Sequence, residues 1–65
     1  MIRIEDNTFA AACYDQNSVA ELQKALADGP DQGDMDAWGI DADEWQAQIE
    51  LALAAKLADA AEAKV

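Results

Sequence analysis

Asp41 and Glu44 form a capping box directly ahead of Trp45, and Trp45, Ile49, Ala52, Leu53 and Leu57 then follow one another at steps of three or four. That pattern demands one amphipathic helix beginning near residue 42. At about 20 residues it would run about 30 Å, so in a chain of 65 residues every other element has to pack on it. The stretch from Ala54 to Ala63 favours helix but offers few large side chains, which predicts fraying near Val65.

A second capping box, Ser18 with Glu21, precedes Val19, Leu22, Ala25 and Leu26 on one face, and Gly29-Pro30 supplies a stop. A helix over about 18–28 is predicted. Towards the N-terminus, Ile2 and Ile4 alternate with Arg3 and Glu5, Asp6-Asn7 is a turn candidate, and Thr8 to Tyr14 follows. This reads as a short β-hairpin. Ala10 to Ala12 is the better helix former, so a short first helix capped by Asn7 or Thr8 is the competing reading. The expected fold class is α+β, a small single domain (residues 1–65) with an N-terminal β-hairpin and two α-helices; the alternative is an all-α three-helix domain. No internal repeat is visible.

Hydrophobic residues make up 52% of the chain, but many are Ala, which bury little area. About a dozen larger side chains, each contributing roughly 1.5–3 kcal/mol when buried, must offset the ordering entropy of the chain. Trp38 and Trp45, seven residues apart, are both expected in this core. The functional alternative makes Trp38, with Met35 beside it, an aromatic anchor ringed by carboxylates.

The formal net charge is -10, from 14 acidic and four basic residues. Between Lys24 and Lys56 there is no basic residue, while Asp28, Asp31, Asp34, Asp36, Asp41, Asp43, Glu44 and Glu50 fall in that interval. Such a chain repels phosphate and anionic lipid, so neither nucleic acid nor membrane is an expected ligand. Residues 29–36, rich in Gly, Pro and Asp, read as the least ordered loop. A basic protein is the expected partner, with Asp28, Asp31, Asp34, Asp36, Trp38, Asp41, Asp43 and Glu44 as the binding residues. Asp41, Asp43 and Glu44 also suit a first helical turn, where the helix dipole and capping stabilise carboxylates. Asp28 in a last turn, and Asp31, Asp34 and Asp36 without a nearby basic residue, have no such explanation in sequence alone.

Other chemistries fit poorly. A calcium loop starting at Asp34 would have Asp36 and Gly39 in register, but Trp38 and Trp45 occupy positions that require oxygen ligands. The chain has no His, and Cys13 is its only cysteine, which removes Cys–His catalysis, His-ligated zinc and an internal disulfide. Cys13 is expected as a buried structural thiol, in a reducing cytoplasm. With few nucleophiles and little room for a pocket, no enzyme activity, cofactor or metal is expected. No signal peptide or transmembrane segment is read in the sequence.

Carboxylates spaced three or four apart on a helix lie about 5–6 Å apart at Cβ, a spacing compatible with imitation of nucleic-acid phosphates. In its length, its charge and the segment Gly29-Pro30-Asp31-Gln32-Gly33-Asp34-Met35-Asp36-Ala37-Trp38-Gly39-Ile40-Asp41, the chain resembles the small acidic anti-CRISPR proteins that act as DNA mimics, the type I-C group above all. The resemblance implies an inhibitor of the type I surveillance complex, acting at the large Cas8 subunit where target DNA is recognised. It carries no residue across by motif. Two other readings are an antitoxin or inhibitor of a basic nuclease or toxin, and a self-associating helical protein joined through Leu51, Leu53 and Leu57. The expected state is a monomer or weak homodimer.

Overall fold

A computed structural model describes residues 3–63, with side chains described through residue 61. Four helices follow in chain order: α1 (Phe9–Gln16), α2 (Val19–Asp28), α3 (Gln32–Trp38) and α4 (Ala42–Ala63). Among the described residues there is no strand, which overturns the α+β expectation. The all-α alternative has the right class, with one helix more than it allowed for.

The N-terminal correction has a local cause. Asn7 does adopt the left-handed conformation, at φ 64°, but it leads into a helix cap instead of a hairpin. The Thr8 hydroxyl accepts from the Ala11 N–H at 3.2 Å and donates to the Glu5 carbonyl at 2.7 Å. Turn and helix start draw on the same residue types, and the helix propensity of Ala10 to Ala12 decides between them. Ile2, from the expected first strand, and Val65, the expected fraying point, lie outside the described residues.

Helix α2 has both halves of its capping box: Ser18 Oγ accepts from Glu21 N–H, and the Glu21 carboxylate accepts from Ser18 N–H at 2.9 Å. It closes at Gly29, whose φ of 96° suits a residue without a Cβ and whose N–H reaches the Ala25 carbonyl.

Helix α3 replaces the expected loop. Asp31 accepts from the Asp34 N–H at 3.0 Å as its N-cap, and Gly39, left-handed at φ 64°, ends it. Asp31 and Gly39 are ordinary start and stop residues. Gly33 within the helix and the charges around it hid the pattern.

Helix α4 is capped by Asp41, which accepts from the Glu44 N–H at 2.8 Å; the Glu44 carboxylate in turn accepts from Gln48 Nε2 at 3.0 Å. At 22 residues it spans about 33 Å, most of the longest dimension of the protein, 39 Å. Helices α1 and α2 both lie along it, while α3 meets it sparsely. The core is built from Phe9, Cys13, Leu22, Trp45, Ile49 and Ala52. Ala10 and Ala52 are fully buried, and their small side chains permit close approach of helices. No helix among the described residues is long and apolar enough to cross a membrane.

Candidate functional site

The expected binding residues fall into three settings. Asp31, Asp36, Asp41, Asp43 and Glu44 are exposed along α3 and the first turn of α4. Since α3 is a seven-residue helix, about 10 Å long, these five acids occupy one corner of the protein. Asp28 stands apart at the end of α2, in an exposed pair with Lys24 at 3.1 Å. Such a pair contributes little to stability. Asp34 is half-buried and accepts from the indole Nε1 of Trp45 at 3.4 Å, so it is turned towards the core and not wholly towards solvent.

Much of this acidity also serves the helices. Asp31 and Asp41 are N-caps, Asp34 lies in the first turn of α3, and Asp43 and Glu44 lie in that of α4, all at the end where negative charge is favoured. Asp36 accepts from Gln32 Nε2 at 2.8 Å. A carboxylate that caps a helix accepts one hydrogen bond and keeps further oxygen lone pairs for a second donor. The Lys24–Asp28 pair is the one ion pair among the described residues, so the corner is not neutralised from within.

The two tryptophans separate. Trp45 is 2% exposed and central to the core, whereas Trp38 is 41% exposed, which corrects the expectation that both are core residues. The Trp38 ring packs against Phe9, with ring centroids 5.8 Å apart and planes tilted by 53°. The remainder is exposed, at the last position of α3. Met35 is half-buried against the core.

A second acidic feature had no signal in the sequence. A shallow cleft of about 230 Å³ is lined by Asp6, Tyr14, Asp15 and Asp59, with Ile4 and Ala55. The Tyr14 hydroxyl donates to Asp59, and the Lys56 ammonium stands 4.5 Å from the Tyr14 ring centroid. Tyr14 and Asp59 are 45 residues apart, which no local pattern reveals. The hydrogen bond to Asp59 is the first cause holding the Tyr14 hydroxyl above its ordinary pKa.

Cys13 is buried, and desolvation, followed by the negative charge of Asp34, pushes its thiol up to about 11. At neutral pH it is a protonated thiol, a poor nucleophile. Among the described residues no three His, Cys, Asp or Glu side chains are grouped so as to hold a metal ion.

No protein-family model, curated protein or solved structure matches this chain. The functional reading therefore rests on these residues.

Proposed function

We propose that the chain is a helical inhibitor that binds the basic surface of another protein through the corner formed by α3 and the first turn of α4. The observation that carries this is the set of exposed carboxylates of Asp31, Asp36, Asp41, Asp43 and Glu44, with no cation paired to them among the described residues. Half-exposed Trp38 beside them supplies the apolar contact that a charged interface needs at its centre. Asp28, which is paired with the Lys24 cation, and Asp34, which is half-buried, contribute field more than contact.

A basic nuclease or toxin is the partner class this arrangement favours. Capping sets the positions of Asp31 and Asp41, and acids placed by caps suit a generally basic surface at least as well as the regular groove that fits a phosphate row. Blocking of DNA recognition at the Cas8 subunit of a type I surveillance complex is the specific case suggested by the resemblance to DNA-mimicking anti-CRISPR proteins. Self-association is the second reading, favoured by Leu57, which is 48% exposed on α4.

Capture tests these readings. Immobilised wild-type chain and the D31N/D34N/D36N variant are exposed to a lysate of bacteria carrying type I CRISPR machinery and eluted with competing duplex DNA. A nuclease or toxin retained only by the wild type supports the inhibitor. Cas8 displaced by DNA supports the specific case. Equal retention of the same proteins by both chains removes α3 as the binding surface, and recovery of this chain alone shifts the assignment to self-association.

A further inference from the structure

Helix α3 is attached differently from the other three. It contributes no buried residue, while α1, α2 and α4 assemble the core cluster Phe9, Cys13, Leu22, Trp45, Ile49 and Ala52 without it. Its ties to the rest are few: the Trp38 ring on Phe9, Met35 against the edge of the core, and the 3.4 Å hydrogen bond from Trp45 to Asp34. That distance is at the long end for such a bond. The chain on either side of α3 passes through a glycine at positive φ, Gly29 at 96°, which closes α2 and is followed by Pro30 and the cap Asp31, and Gly39 at 64°, and an added Cβ would meet nothing at either. Backbone at these two points turns with little steric hindrance. A cleft of about 360 Å³, already partly open to solvent past Gln16 and Asn17, is bounded by Phe9, Cys13, Leu22 and Ile49 of the core and, on the α3 side, by Asp34 and Trp38.

We propose that α3 is a hinged flap that lifts from the α1–α2–α4 core about Gly29 and Gly39 while that core stays folded, widening the cleft and uncovering Cys13. Lifting breaks one hydrogen bond and one aromatic contact and frees the edge contact of Met35, whereas global unfolding exposes the whole core. The open state is thus a local opening of the native protein, of the kind drawn from its least stable parts. The flap carries Asp31, Asp34 and Asp36 with it, but its motion does not depend on what those acids bind.

Cys13, the only cysteine, reports the opening directly. The rate at which an aromatic disulfide reagent labels it is measured in native protein from zero to moderate urea, beside global unfolding followed by circular dichroism. The flap predicts labelling much slower than for the unfolded chain, with a urea dependence only a small fraction of the global slope, because slope scales with the surface exposed. Labelling with the full global slope means that Cys13 is reached only by unfolding and overturns the proposal. Labelling as fast as for the unfolded chain means that nothing covers the thiol and overturns it equally. Trp38→Ala should accelerate labelling roughly threefold to tenfold, the worth of an aromatic pair, without a matching loss of global stability; a proportional loss would place α3 in the cooperative core. The wild-type slope decides alone if that variant does not fold.

Discussion

The indole N–H of Trp45 donates to the carboxylate of Asp34, joining the largest buried side chain of α4 to an acid in the first turn of α3. One of the acids in the candidate site is therefore also a fastening of the fold. Trp45→Phe, which keeps a ring but loses the donor, should cost about 1–2 kcal/mol. Trp45→Ala should cost about 3–5 kcal/mol. Urea unfolding monitored by far-ultraviolet circular dichroism measures both, and an unchanged midpoint for the alanine variant would contradict its core position.

Replacing Asp31, Asp34 and Asp36 together with Asn should leave the melting temperature unchanged or slightly higher while abolishing partner capture. Asn caps a helix as well as Asp does, and its side-chain oxygen still accepts from Trp45. Wild-type binding should weaken steeply from low to moderate salt. Binding indifferent to salt would point to an apolar interface instead.

Gln48 sits on α4, and its side-chain oxygen accepts from the N–H of buried Ala10 at 3.0 Å. It satisfies a helix N-terminus that has no intrahelical partner. Gln48→Ala should leave that N–H unpaired and cost about 1–3 kcal/mol, while Gln46→Ala, at an exposed position of the same helix, should lie within about 0.5 kcal/mol of wild type. Paired denaturation curves check the contrast.

Alkaline pH should loosen the fold through Cys13. Its thiol ionises at about 11 in the folded protein against an ordinary value of 9.0. Below pH 9.0 both states hold the proton; above it the unfolded chain releases the proton first, so stability falls as pH rises towards about 11. The loss attributable to this group is complete only once the pH has passed about 11, and is on the order of a few kcal/mol. Tyr14, also raised, acts in the same direction at higher pH. Urea midpoints from pH 8 to 11 for wild type and Cys13→Ala should converge as the pH rises; parallel curves would remove the thiol as the cause.

Helices α2 and α4 were legible because their signals are local: a cap, a periodic apolar face and, for α2, a glycine stop. The N-terminal segment was not, because a left-handed Asn followed by Thr begins a hairpin or a helix equally well, and the propensity of Ala10 to Ala12 that decides between them is a weak signal in so short a stretch. In α3, Gly33 and the charge density masked a cap at Asp31 and a stop at Gly39 that were both present. The acids of the candidate site were visible as a cluster, but their division into exposed, ion-paired and core-facing members was not. That division depends on Trp45 and Lys24, and the exposure of Trp38 depends on Phe9, 29 positions away in the chain. Side chains that meet across the fold leave no periodicity to read.

Helix α4 is the surface on which α1 and α2 rest, and it follows them in the chain. During synthesis the earlier helices leave the ribosome with no apolar face to dock on, and isolated helices of eight and ten residues are marginal in water. The bond from Ala10 to Gln48, across 38 positions, cannot close until α4 has emerged. Docking of α1 and α2 accordingly waits for α4, and a chain stalled before Trp45 should remain unfolded and open to proteases.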